Sequence, residues 1–428
     1  MAASGININT LLDRCETDFK HEDRSVRLMC AQRIGAAASC IDDAGMRKRL
    51  LDIVSEQSGD EDEVLYTLAG QCGEVFDKWG GASCDEDLAF EILRMLTTIG
   101  GTEETVVREE VGKSFTHIVT TAGGSLAQRA VADCFTQLSG ATWFTGRVTA
   151  CLVVAGLCKG LSGNAGARGK VVETYEKLCT DSTPMVRRAS ARVLSDVATA
   201  FGGDMDDASE SLLVSLMKKL GLDGEESIRL NALENMDALF RALPTKGLAL
   251  AREMTTRCTE DASWKMRCAF TKKFVPIIKV VHSQDSEDFD SAAVSKMLLA
   301  LLRDPEPEVV VAAIGQIAGT LSHFKDQTPI LESLSTLMQV GAFSWLFPVF
   351  FLFFFFFFYS FRLAFLVSSL FLRLSHPLPS PRHHRARAKK TSGNRSQRAS
   401  WTCSAAAAPS RTACSSTSSS RCSRTRTR

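Results

Sequence analysis

Residue types that could bind phosphate occur in this chain, but their spacing does not build a phosphate site. The segment GNAGARGK at 163–170 comes near a phosphate-binding loop. Asn164 stands where that pattern needs glycine, and Val171 replaces the Ser or Thr that would bind Mg²⁺. No strand is predicted before the segment. We therefore expect no nucleotide site here.

The residues that could serve metal or acid–base chemistry are also poorly spaced. Four histidines precede residue 341: His21, His117, His282 and His323. They are far apart in sequence and form neither an HExxH nor a Cys/His ligand pattern, and no G-x-S-x-G nucleophile motif occurs. Carboxylate pairs such as Glu103 and Glu104 fall where helices are predicted to begin, where carboxylates cap helices more often than they catalyse. The sequence predicts a binding protein, with no enzyme activity, cofactor or bound metal.

Charge divides the 428-residue chain into two unlike parts. Residues 341–428 hold 14 Lys+Arg and no Asp or Glu, so residues 1–340 hold 36 basic and 49 acidic residues, a net charge of −13. An acidic body repels phosphate, which argues against a nucleic-acid partner. The N-terminal stretch lacks the apolar core of a signal peptide, and the 11 cysteines before residue 341 lack paired spacing. We expect reduced, buried thiols in a cytoplasmic or nuclear protein.

A repeating unit of about forty residues organises the acidic part. Each copy has a polar or acidic turn, then a residue pair resembling Val-Arg, then an Ala/Leu-rich stretch with helical periodicity. The steps between successive copies are 38, 43, 39, 40, 42, 38 and 43 residues. The residue before the usual arginine marks each copy: Val26, Val64, Val107, Gly146, Val186, Ile228, Met266 and Val309.

This period predicts an all-α HEAT-repeat solenoid of about eight repeats. A two-helix unit of this length cannot bury its own apolar face, so it must stack on its neighbours. A single globular helical domain is the alternative that the regular spacing disfavours. Acidic or Ser/Thr residues before each second helix are expected to cap its free N–H groups. The recurrent arginine, as in Arg27 and Arg229, is expected to tie one repeat to the next through the preceding Asp or Glu.

Aromatic residues in the turns are a second kind of signal. Trp143, Phe144 and Trp264 fall just before or at predicted second helices, where a core residue is least expected. Exposure for a partner and packing within the fold are both open for these three residues.

The turn sequences, taken in order, resemble a known family. They are DEDEV at 60–64, EETVVR at 103–108, WFT at 143–145, CTDSTPMVRR at 179–188 and EDASW at 260–264. In this order and spacing they resemble the scaffold (A) subunit of the type 2A serine/threonine protein phosphatase, from about residue 12 to about residue 335. The resemblance implies a non-catalytic HEAT-repeat scaffold whose intra-repeat turns dock regulatory B-type subunits. The docking residues it implies are Glu63, Glu103, Glu104, Arg108, Trp143, Phe144, Pro184, Arg187, Arg188 and Trp264.

The resemblance also implies a consequence for the catalytic phosphatase subunit. In the family that subunit docks on the last repeats, which lie beyond the eight copies counted here. We therefore expect the chain to hold a B-type subunit and not to recruit the catalytic subunit. This expectation applies to a protein product with the 428-residue sequence given.

The chain is predicted to divide into three regions. Residues 1–340 form the solenoid, 341–372 an apolar Phe-rich segment, and 373–428 a disordered tail rich in Ser and Arg. The Phe-rich segment is long enough to span a bilayer, and a membrane-tethered adaptor is therefore one alternative function. Six successive phenylalanines at Phe353–Phe358 instead favour a translated pyrimidine-rich intron. A generic HEAT adaptor is the other alternative.

Overall fold

The computed structural model describes residues 7–284, 291–321 and 327–339. The chain divides into two units, residues 1–344 and 345–428, and the second lies wholly outside the described part. The predicted Phe-rich segment at 341–372 and tail at 373–428 therefore fall outside the described residues. The boundaries predicted for these regions stay predictions.

The described residues form eight helix pairs and one further helix, which confirms the all-α solenoid. Short 3-10 turns at Gly81–Ser83 and Gly202–Asp204 precede two first helices, and a π turn at Val131–Phe135 joins two helices. The pairs are α1 Ile8–Phe19 with α2 Arg24–Ala31 and α3 Ile34–Ala38; α4 Ala44–Ser55 with α5 Asp62–Lys78; α6 Glu86–Ile99 with α7 Thr105–Ala122; α8 Gly124–Ala130 and α9 Thr136–Ser139 with α10 Phe144–Gly160; α11 Ala165–Cys179 with α12 Pro184–Phe201; α13 Asp207–Gly221 with α14 Glu226–Glu234 and α15 Met236–Ala242; α16 Gly247–Thr259 with α17 Trp264–Gln284; and α18 Ser291–Leu302 with α19 Pro307–Thr320, followed by α20 Thr328–Gln339.

The helices stack in two layers that enclose one apolar core. In the second-helix layer, α10 packs between α7 and α12, and α17 packs against α19. In the first-helix layer, α4 contacts α6, and α16 contacts α13 and α18. Each repeat thus buries its apolar face against its neighbours, as a two-helix unit must. The largest fully buried side chains are spread along the array and include Phe76, Phe115, Phe135, Tyr175, Phe240, Phe270 and Phe274.

Helix capping differs from the expectation at the second helices. The Asp23 carboxylate does cap α2, accepting the Ser25 N–H at 2.8 Å. The side chains at five other N-caps of second helices make no capping hydrogen bond: Glu61, Glu104, Thr183, Glu225 and Glu306. Carboxylate capping occurs instead at first helices; Asp85 accepts the Asp87 and Leu88 N–H groups at 3.0 and 3.1 Å. Arginine–aspartate pairs between repeats hold the turns before second helices instead.

The cysteines behave as small apolar residues, as predicted. All eleven described cysteines are free thiols; nine are buried, and Cys40 and Cys84 are half-buried. Burial raises the pKa of Cys72, Cys151 and Cys158 to about 12. A thiol with so high a pKa is protonated at neutral pH and is a poor nucleophile.

No helix within the described residues is long and apolar enough to cross a membrane.

Candidate functional site

A row of arginine–aspartate pairs ties the turns of successive repeats together. In each pair an arginine of one second helix donates through Nε and Nη2 to an aspartate in the next intra-repeat turn, while Nη1 donates to two carbonyls of its own turn. At Arg187, Nε lies 2.7 Å and Nη2 3.1 Å from the Asp223 carboxylate, and Nη1 lies 2.9 Å from the Asp181 carbonyl. We call each pair a rung. The five rungs are Arg27–Asp60, Arg147–Asp181, Arg187–Asp223, Arg229–Asp261 and Arg267–Asp304.

The rungs confirm that Arg27 and Arg229 link repeats. Their acidic partners, Asp60 and Asp261, lie in the turn of the following repeat and not before the arginine, so that part of the expectation was wrong. The aspartates also hydrogen-bond to the backbone of their own turns. Asp181, Asp223, Asp261 and Asp304 each accept the backbone N–H two residues later, at 2.8 to 3.0 Å. One carboxylate therefore fixes its own turn and receives the arginine of the preceding repeat. Two-pronged contacts of this kind are among the stronger hydrogen bonds in proteins.

The rungs predict how stability changes with pH. The Arg187 guanidinium holds the pKa of the Asp223 carboxyl below its usual range, and Arg267 does the same for Asp304. A carboxyl with a depressed folded pKa adds stability above its unfolded pKa of about 3.9 and loses it as pH falls through the folded value. We expect the free energy of unfolding, followed by circular dichroism in urea, to fall as pH drops below about 4. Asp223→Asn should be less stable at pH 7 and show a shallower pH slope. Equal slopes would contradict the assignment.

The aromatic turn residues lie at the N-terminal ends of second helices and are exposed. Trp143, the N-cap of α10, is 60% exposed, and Trp264, the first residue of α17, is 39% exposed. Phe144 is half-buried beside Trp143, with ring centroids 5.5 Å apart. Pro184, the first residue of α12, is also exposed. Tryptophan is one of the residue types enriched among the hot spots of protein interfaces.

The charged residues predicted as docking sites fall into two groups. Glu63, Glu103 and Glu104 are exposed, and Glu63 lies 3.3 Å from Arg24. Arg187, in contrast, is engaged in a rung with Asp223. Its guanidinium therefore has an intramolecular structural role. Whether any of these residues contacts a partner stays a prediction.

One cavity brings three of the predicted residues together. It has a volume of about 160 Å³ and opens between the N-terminal parts of α7, α10 and α12. Arg108, Phe144 and Arg188 line it, whereas Glu63 and Trp264 do not. Arg108 is 6% exposed, and burial lowers the pKa of its guanidinium. Arg188 is half-buried and makes no ion pair with a described carboxylate.

Sequence reasoning missed other residues of this cavity. Met185 and Arg192 line it, and so does Glu109, whose carboxylate accepts from Arg192 at 2.8 Å. Helical spacing carries the signal, because Arg192 follows Arg188 by four residues and so lies on the same face of α12. Glu109 could not have been paired with Arg192 from sequence, since 83 residues separate them.

Within the described residues, no group of three or more His, Cys, Asp or Glu side chains is arranged to hold a metal ion. The candidate site consists of the exposed turn residues, the rungs and the cavity that Arg108 lines.

Comparison with known proteins identifies what this solenoid is similar to. No protein-family model matches the chain. Among curated proteins, the regulatory A-type subunit of protein phosphatase PP2A from Schizosaccharomyces pombe is 28% identical over 269 residues, covering 62% of this chain and 44% of that protein. The alpha isoform of the 65 kDa regulatory A-type subunit of phosphatase 2A from Arabidopsis thaliana is 31% identical over 186 residues, 42% of this chain and 30% of that protein. The human beta isoform is 30% identical over 181 residues, which cover 42% of this chain and 29% of that protein.

These relatives confirm the resemblance drawn from the turn motifs: over about half of its length, the chain is similar in sequence to regulatory A-type subunits of phosphatase 2A. The chain spans between 29% and 44% of the length of these three relatives. Among solved structures, Kap121p bound to Pho4p aligns with 79% of this chain and 41% of that chain, with 11% identity and a TM-score of 0.45.

Proposed function

We propose that this chain is a non-catalytic scaffold that docks regulatory B-type subunits of phosphatase 2A on its intra-repeat turns. The exposure of Trp143 and Trp264 at the starts of α10 and α17 is the observation that supports it most. Both side chains lie on turns whose sequences resemble those of the phosphatase scaffold. The curated relatives of this chain are named as regulatory subunits. An exposed indole costs little conformational entropy to immobilise and buries a large area.

The rungs support the same proposal through rigidity. Because neighbouring turns are tied by Arg147–Asp181 and Arg187–Asp223, the residues at their tips keep a fixed spacing. When a partner contacts several turns, little binding free energy is then lost in ordering those turns. The glutamates Glu63, Glu103 and Glu104 add an acidic border that would select a basic complementary surface.

Binding of a purified B-type subunit tests the proposal directly. We expect Trp143→Ala and Trp264→Ala each to weaken binding by about 30-fold, the effect of losing a hot spot worth about 2 kcal/mol. The measurement is the dissociation constant by isothermal titration calorimetry. Leu331→Ala is the matched control, because Leu331 is an apolar side chain on α20 with 47% exposure.

Equal losses for the two tryptophan variants and the control, or no binding by the wild-type chain, would refute the proposal. A generic HEAT adaptor is the interpretation that would then remain. Adding purified catalytic subunit to the same titration measures the second expectation, that it does not bind this chain.

A further inference from the structure

The row of rungs is interrupted at Arg108. Its Nη1 still donates to its own turn, to the carbonyls of Thr102 and Glu103 at 2.8 and 2.6 Å. The next turn offers Ala141 two residues before the N-cap Trp143, where the complete rungs of later repeats have aspartate. Nη2 donates instead to the Thr105 hydroxyl at 3.1 Å. Nε is buried and has no hydrogen-bond partner among the described residues.

A buried guanidinium Nε without an acceptor is unfavourable within the isolated chain. Arg108 is only 6% exposed, and a buried donor without an acceptor keeps its full desolvation penalty. The five complete rungs show what these second-helix arginines accommodate: a carboxylate facing Nε and Nη2. By analogy with these rungs, a carboxylate is the acceptor that would complete the contact at Arg108.

The surrounding cavity supplies the rest of the recognition. Phe144 and Met185 give it an apolar wall, and Arg188 adds a second positive charge. The one acidic side chain that lines it, Glu109, is already paired with Arg192. A volume of about 160 Å³ suits one aromatic or branched apolar side chain, since a cavity of about 150 Å³ accommodates benzene. The cavity thus presents unpaired positive charge beside an apolar wall.

We propose that the cavity at Arg108 takes an acidic side chain of the docked protein, with an apolar side chain beside it, and so completes the missing rung in trans. The docked protein is the regulatory subunit of the proposed function, on which this inference rests for the partner's identity. Arg108 and Arg188 hold the carboxylate, while Phe144 and Met185 contact the apolar neighbour. Carboxylate rather than phosphate is favoured because the planar guanidinium fork already pairs with carboxylates throughout this array.

Ala141→Asp tests the inference by supplying the carboxylate from within the chain. We expect a higher thermal midpoint, because a sixth rung closes, together with weaker binding of the purified B-type subunit, by about tenfold or more. Ala132→Asp is the matched control, placing the same charge on the first-helix side of the same repeat, where the side chain is exposed. It should leave both quantities unchanged. If Ala141→Asp and wild type bind the subunit equally tightly, or if the variant has a lower midpoint, the inference is wrong.

A second measurement does not depend on the regulatory subunit. The probe is a fluorescein-labelled helical peptide with one Glu and a Leu one turn later, compared with its Gln counterpart by fluorescence anisotropy. The Glu peptide should bind wild type and lose at least about tenfold in affinity for Ala141→Asp, and the Gln peptide should bind weakly to both. Equal binding of the Glu and Gln peptides, or displacement of the Glu peptide by inorganic phosphate at constant ionic strength, would overturn the inference. If the chain binds the Glu peptide more tightly than the Gln peptide but does not bind the B-type subunit, the inference about the cavity holds and the proposed function is refuted.

Discussion

Arg267→Ala is expected to lower the local free energy of opening of the α18–α19 repeat by about 3–5 kcal/mol. Arg267 Nε lies 2.6 Å and Nη2 2.9 Å from the Asp304 carboxylate, and the two side chains are 13% and 6% exposed. Removing the guanidinium leaves this shielded carboxylate with the Glu306 N–H as its remaining hydrogen bond among the described residues. It also removes the Nη1 bond to the Asp261 carbonyl at 2.8 Å.

Hydrogen exchange of the α19 amides is the appropriate measurement, because a repeat array opens locally rather than as one unit. Arg257→Ala is the control: Arg257 is 49% exposed and pairs with Glu253 one helical turn earlier. An exposed pair of that kind contributes about 0.5 kcal/mol or less. Arg267→Lys should lie between the two, since it keeps the charge and loses the fork. If the α19 amides are equally protected in Arg267→Ala and Arg257→Ala, the rung does not stabilise the repeat junction.

The repeat architecture was predictable because it depends on a signal that recurs. Eight copies of one apolar pattern, each beginning a second helix, restrict the fold to a stacked array. The recurrent arginine was predictable for the same reason, and the rungs at Arg27 and Arg229 confirm it. Because the same contact recurs in each repeat, one physical argument assigns it at several positions.

The capping prediction holds at α2, which Asp23 caps, and is wrong at five other second helices. Acidic residues at N-cap positions such as Glu104 and Glu225 suggested capping by their own side chains, but neither makes that bond. The carboxylate two residues earlier, such as Asp223, instead accepts the N–H of the N-cap residue Glu225 at 3.0 Å and pairs with the arginine of the preceding repeat. This dual role requires a residue from another repeat, which spacing within a single turn does not reveal.

The cavity at Arg108 was the least predictable feature of the candidate site. The resemblance implies Arg108 as one of ten docking residues, and it implies Arg187 in the same way. The difference lies in the next repeat, where Ala141 replaces the aspartate that Arg187 finds in Asp223. Interruptions of a repeated contact are visible in the sequence only after the contact itself is known.

Close approach between neighbouring repeats is a further feature that the sequence did not show. Gly160 is the last residue of α10. In the structure a Cβ atom at this position would overlap the carbonyl oxygen of Val119 on α7. It would also lie 3.3 Å from the Cβ of Ala127 on α8. The absence of a side chain therefore sets how closely α10 can pack against the preceding repeat.

Gly160→Ala is accordingly expected to destabilise the chain by about 3 kcal/mol, the upper part of the usual range for overpacking, because the clash is with backbone that cannot rotate away. Gly169→Ala is the matched control with the opposite sign. Gly169 lies within α11 with nothing within 4 Å of an added Cβ, so alanine there should stabilise by about 0.5–1 kcal/mol through helix propensity and a less flexible unfolded chain. Urea unfolding of both variants, with hydrogen exchange of the α7 and α10 amides, measures the two effects. If both substitutions stabilise, α10 can shift away from α7 at little cost, and the spacing between these second helices is not fixed by Gly160.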